Sequence, residues 1–128
     1  MKGELQIKLF EKYPEIFRDK DKSPQQTTMC WGIDCGDGWY WLIDKLCGFF
    51  MKIQEQTGAE VVATQVKEKF GGLSFYYSVI NSNKETHTRI HKMIWFFESL
   101  SYMTCDICGG MGTVSTRGWR KTRCIKHK

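Results

Sequence analysis

The stretch CDICGGMGTVSTRGWRKTRCIKH, residues 105–127, carries four metal-ligand side chains as two close pairs, Cys105 with Cys108 and Cys124 with His127, fifteen residues apart. Each pair puts two ligand atoms on one tight turn. Two such turns complete the tetrahedron of three thiolates and one imidazole that a structural Zn²⁺ takes. One structural zinc ion is therefore expected. A closed four-ligand site leaves no position open for substrate or activated water, so the motif predicts a local fold and a cofactor but no activity. Disulfides suit these thiols poorly, because the opening MKGELQIKLF lacks the continuous apolar core of a secretory signal. Reduced thiols and a cytoplasmic location are the expectation.

Between the pairs, Gly109, Gly110 and Gly112 suit turns that aim backbone amides at sulfur, and 114–116 with 119–122 read as a short hairpin. Two knuckles joined by a hairpin resemble a zinc ribbon. Charge gathers in this module. Of nineteen Lys and Arg and fourteen Asp and Glu, six bases and a single acid, Asp106, fall in residues 102–128, leaving thirteen of each in 1–101. The body is neutral and the module carries the net charge of +5, which zinc held by three thiolates trims by one. A basic module bearing Trp119 among Arg117, Arg120, Lys121 and Arg123 suits phosphate or an acidic protein face. The plainer reading of such a run is a solvated face.

Working outward, 41% hydrophobic and 14% aromatic residues suffice for a packed core. No apolar run approaches the roughly 18 residues that span a bilayer, so no membrane partner is expected. Residues 4–13 predict a short helix with Leu5, Leu9, Phe10 and Tyr13 inward, and 18–28 predict a surface loop. Asp37, between Gly36 and Gly38, is placed to cap a central helix whose inward stripe is Trp39, Leu42, Ile43, Leu46, Phe50 and Ile53, ending near Thr57 with Gly58 left-handed. Period-two runs in 60–69 and 73–78 predict a hairpin turning at Phe70, Gly71 and Gly72; with strict alternation, Val62, Thr64 and Val66 face opposite to Val61 and Ala63. Ser82 and Glu85 have capping-box spacing for a second helix with Ile90, Met93, Ile94, Phe97 and Leu100 inward. The predicted architecture is α+β: a small helical body with a β-hairpin, 1–101, and a zinc-ribbon-like extension, 102–128, packed against that second helix.

Other residues offer candidate chemistry. At the hairpin tip, Lys67, Lys69 and Phe70 can stack a base while touching phosphate. Cys30 and Cys35 with His87 and His91, one helical turn apart, can form a second metal site, although free cysteines are commonly buried without one. The two histidines are also candidates for acid/base work. Cys35 as a nucleophile needs a lowered pKa, which Asp34 and Asp37 oppose; those two carboxylates can also hold Mg²⁺. Phosphate-loop, dinucleotide, nucleophile-elbow and HExxH motifs are absent, as is the H-x-E partner of zinc deaminases. No catalytic residue is assigned.

The blocks IDCGDGWYWLIDKLC (33–47), QVKEKFGGLSFYYS (65–78) and MTCDICGGMG with GWRKTRCIKH (103–112 and 118–127) together resemble a family of small phage, prophage and bacterial proteins of unassigned function. The resemblance spans about residues 13–127 and implies a shared fold and a phage or mobile-element origin. It brings no catalytic residues. Ser74 departs from the arginine usual in that family, which weakens any phosphate contact there. The expected function is a non-enzymatic binding protein that docks its basic module onto nucleic acid or a nucleic-acid-bound complex. One alternative is an inhibitor or adaptor of a host defence or transcription protein; the other is a nucleotide-binding or nucleotide-processing protein.

Overall fold

The computed structural model describes residues 1–128. A short N-terminal helix precedes the long central helix of the core. Helix α1 (Gly3–Lys12) buries Leu9 and, just past its end, Tyr13, with Leu5 and Phe10 only partly covered. Helix α2 (Tyr40–Thr57) buries every residue of the predicted stripe, Trp39 included. It ends as expected: Gly58 takes φ 81°, and its N–H donates to the Gln54 carbonyl at 2.8 Å.

Asp37 does not cap this helix. Its carboxylate instead accepts the backbone N–H of Lys2 at 2.8 Å, fastening the start of α1 to the segment before α2. Asp37 lies in a short 3₁₀ turn (Asp37–Trp39), and no side chain caps either that turn or α2.

Strands β2 (Glu60–Lys69) and β3 (Gly72–Ile80) form the expected antiparallel hairpin, and β1 (Ile33–Asp34) adds a short parallel strand on the far side of β2, pairing Ile33 with Val66. Strict alternation fails in the middle of β2. A register shift between Ala63 and Gln65 leaves Thr64 as an extra residue, and the resulting change of phase lets Val61, Ala63 and Val66 all join one core. The Thr64 carbonyl, freed from regular pairing, accepts the hydroxyls of Thr27 at 3.2 Å and Thr28 at 2.6 Å. The end of the predicted surface loop is thereby tied to the sheet.

Helix α3 (Lys84–Ser101) starts at a different cap from the one expected. Asn83, one residue beyond Ser82, accepts the Thr86 N–H at 2.8 Å, while Ser82 turns its hydroxyl to the Asn83 carbonyl. Ile90, Ile94 and Phe97 are buried on the inner face, with Met93 and Leu100 partly so. Two polar side chains of α3 receive amides of β3: Glu98 takes the Phe75 N–H and Ser101 the Leu73 N–H, both at 2.8 Å. The helix thus covers that strand edge against pairing with another chain.

The C-terminal module holds one two-stranded ladder, β4 (Thr113–Val114) with β5 (Thr122–Arg123), shorter than predicted. It seats mainly on the turn before α2 and on the β2–β3 turn, in addition to the helix α3 from which it emerges. The Gly38 N–H donates to the Asp106 carbonyl at 2.9 Å, the Trp39 indole to the Thr104 carbonyl at 2.8 Å, and the Thr122 hydroxyl to the Gly71 carbonyl at 2.6 Å. A Cβ on Gly38 would overlap the backbone carbonyl of Cys105, so that glycine is required by close approach; one on Gly72 would meet the half-exposed Tyr102 ring, which would have to swing aside. No helix is long and apolar enough to cross a membrane.

Candidate metal centre and the groove beside it

Two backbone turns build the ligand set. The first closes through Gly109 N–H to the Cys105 carbonyl at 2.9 Å, and the Cys105 N–H reaches the Gly110 carbonyl at 2.7 Å; the second closes through His127 N–H to the Cys124 carbonyl at 3.1 Å. They bring the sulfurs of Cys105, Cys108 and Cys124 and a ring nitrogen of His127 within 4.8 Å of one another. The separations are 3.7 Å from Cys108 Sγ to Cys124 Sγ, 3.7 Å from Cys105 Sγ to His127 Nδ1, and 3.1 Å from Cys124 Sγ to His127 Nδ1. A tetrahedral ion with metal–sulfur bonds of about 2.3 Å sets its sulfurs about 3.8 Å apart, so the donors fit a small tetrahedral metal.

The surroundings favour thiolate. Burial pushes the Cys105 thiol up, but the amides of Cys108, Cys124 and Ile107 outweigh it and bring the pKa down to about 6. Cys108 is exposed and receives the Gly110 N–H at 3.4 Å, which lowers its pKa; slight desolvation and the neighbouring Cys105 and Cys124 leave it raised.

The other candidate metal and nucleophile residues are not brought together. Cys30 donates its thiol to the Thr27 carbonyl at 3.5 Å, whereas His91 Nδ1 lies 3.2 Å from the Tyr77 hydroxyl and the His87 ring sits beside Tyr77. The only group of three or more Cys, His, Asp and Glu side chains with metal-site spacing is the C-terminal one, so Cys30, Cys35, His87 and His91 do not make a second centre; Asp37 is engaged with the backbone N–H of Lys2. Burial, reinforced by Asp34, Asp106 and Asp37, pushes the Cys35 thiol up to about 12, the opposite of an activated nucleophile.

Two sets of expected binding residues, far apart in sequence, meet in one groove. At the β2–β3 turn, Phe70 (φ 53°) and Gly71 (φ 90°) are both left-handed, the two-residue turn whose twist matches a hairpin. Such a conformation is unusual for a bulky residue and projects the Phe70 ring outward, 71% exposed. Trp119, 80% exposed, stands at the tip of the module, and a groove of about 470 Å³ runs between the two turns, lined by Lys67, Glu68, Lys69, Phe70, Trp119 and Arg120. The Thr122 to Gly71 hydrogen bond and a 2.8 Å ion pair from Lys121 to Glu68 hold its walls together.

The structure separates the expected cations into two groups. Lys121 is engaged with Glu68, and Arg123 Nε donates to the buried carboxylate of Asp106 at 2.8 Å. These two build the module. Lys67, Lys69, Arg117 and Arg120 make no ion pair and are available to a ligand. Sequence reasoning missed that Glu68 neutralises the inner cation and that Trp119 also borders a second recess of about 630 Å³ lined by Arg117, Lys121, Arg123 and His127. Compared with protein-family models, with curated proteins and with solved structures, the chain has no match.

Proposed function

We propose that this is a zinc-stabilised, non-enzymatic binding protein that takes single-stranded nucleic acid in the groove between the β2–β3 turn and the C-terminal module. The supporting observation is the convergence of two exposed aromatic rings, Phe70 and Trp119, with the unpaired cations Lys67, Lys69 and Arg120. Aromatic faces stack on unpaired bases, at about 1–3 kcal/mol per base, and the cations meet the phosphates between them. Duplex bases are already stacked on each other, so a single strand fits this chemistry better. Zinc suits the donor set, since three thiolates and one imidazole at tetrahedral spacing match its preferred closed structural site. The resemblance to phage proteins agrees with a binder that acts in a host cytoplasm on nucleic acid or on a complex carrying it.

Fluorescence anisotropy with a labelled oligothymidine checks the reading. Three phosphate contacts give a slope of log K against log salt of about −2 on a single strand. Replacing Trp119 or Phe70 by Ala should weaken binding at least about fivefold, given the worth of one stacked base. Absence of any complex at about 50 mM salt, where such contacts are strongest, would end the proposal.

A further inference from the structure

Helices α2 and α3 leave between their outer sides a groove of about 650 Å³ that shares no residue with the metal centre or with the groove at the turns. Trp41, Lys45 and Phe49 recur at four-residue steps and so share one face of α2, while Arg89, Met93, Phe96 and Leu100 form the matching stripe of α3. The rings of Trp41, Phe49 and Phe96 are 42%, 44% and 47% exposed. Phe97 fixes them from below, its ring 6.1 Å from that of Phe49 and 5.6 Å from that of Phe96. The groove is therefore shaped by packing against the core. On its rim stand Lys45, Arg89 and Lys92, none of them in an ion pair, and no carboxylate lines it.

An apolar floor with a rim of one charge sign is complementary to a surface with apolar residues flanked by the opposite sign. We infer that the α2–α3 groove receives an amphipathic helix of a partner protein, one with carboxylates on either side of an apolar stripe. From Arg89 to Leu100 the stripe runs about 16 Å at the helical rise per residue, room for about three turns of an incoming helix with anchors at i, i+3, i+4 and i+7. A second copy of this chain fits less well, because two-fold packing on this face sets the three cations of one protomer against the same cations of the other. Nucleic acid fits less well too, since the floor offers apolar surface where a strand would bring phosphate and sugar.

The test uses the full metal-loaded chain and three probes: a labelled peptide of about 18 residues, long enough to be helical, with Leu on one stripe and Glu beside it; the same peptide with Lys for Glu; and phosphatidylglycerol vesicles. The Glu peptide should bind, and the Lys peptide at least about tenfold more weakly, a difference that setting like charges against the three rim cations readily supplies. Phe96→Ala should cost at least about tenfold in affinity for the Glu peptide, the effect of one anchor ring, while leaving the far-ultraviolet circular dichroism and oligothymidine binding unchanged. The triple variant Lys45→Glu, Arg89→Glu, Lys92→Glu, which leaves the floor intact, should reverse the preference between the peptides. Equal binding of the two peptides, no binding of the Glu peptide, or an unchanged Phe96→Ala affinity overturns the inference. So does vesicle binding in place of peptide binding, which reassigns the groove to an anionic membrane surface, or self-association lost in Phe96→Ala, which assigns it to a second copy. Failure here leaves the oligothymidine result standing, because the two grooves have no residue in common.

Discussion

Gly38 shows how a single missing side chain positions the metal centre. A Cβ there would overlap the Cys105 carbonyl and lie 2.6 Å from the Gly109 amide, and both neighbours are rigid backbone of the first knuckle. The same residue donates its own N–H to Asp106. Gly38→Ala should therefore lift the knuckle off the body and cost about 1–3 kcal/mol, the range for overpacking a close contact, seen as a lower urea midpoint together with weaker metal retention under chelator competition. A control at Gly3, where an added Cβ meets nothing, should leave both measurements unchanged. The GDGW segment was legible in the sequence as a helix entry, but the reason for its glycines was not. The local pattern reads as a cap and a sharp turn, yet Asp37 binds the Lys2 amide instead and the contact that needs a bare Cα at Gly38 comes from the far end of the chain.

At the level of elements, α3 and β3 are coupled by a half-buried carboxylate. Burial holds Glu98 above its ordinary pKa of 4.5, although the Phe75 N–H and, more weakly, His91 favour its ionised form. A carboxyl whose pKa is raised on folding binds its proton more tightly in the folded protein, so its contribution to stability is greatest at low pH and is lost as pH rises from 4.5 through the raised folded value. Glu98→Gln keeps an acceptor for the Phe75 amide without the buried charge. Its stability relative to the parent should be most favourable at pH above the raised pKa, and should decline as the pH is lowered through that value toward 4.5 and the parent takes up its proton. Urea midpoints of both proteins across that range check this, and comparing them cancels the titration of the metal ligands they share. A pH-independent difference would show that the charge carries no net cost. Both long helices and the hairpin were readable from their periods, since Trp39 to Ile53 and Ile90 to Leu100 repeat at helical steps. Offsets appeared where one residue competes with its neighbour, as Asn83 takes the cap from Ser82, or where pairing is non-local, as Thr64 bulges out of β2 to meet Thr27 and Thr28.

Across the whole molecule, stability and ligand sites are divided between two parts of the chain. The hydrophobic core cluster draws all its residues from Leu9 to Phe97, so none comes from the C-terminal module. The module, with few buried side chains of its own, is held by its seat against Gly38, Trp39 and Gly71 and, under the proposed zinc binding, by the ion. The turn groove has one wall on each part, and neither stretch of sequence alone shows that Phe70 and Trp119 line one groove, because that arrangement exists only once the module is docked. The α2–α3 groove lies wholly on the body. Chelation should accordingly separate the two activities. Removing the metal frees Trp119 and Arg120 from their position opposite Phe70, so oligothymidine binding should fall by at least about a hundredfold, as expected when metal binding and local folding are one event. The far-ultraviolet helical signal and binding of the Glu-bearing peptide should persist, with a lower thermal midpoint because the Gly38, Trp39 and Thr122 hydrogen bonds to the module are lost. Restoring Zn²⁺ should recover oligonucleotide binding. If chelation instead abolishes the helical signal, the body needs the module to fold, and the core of residues 9–97 is not self-sufficient.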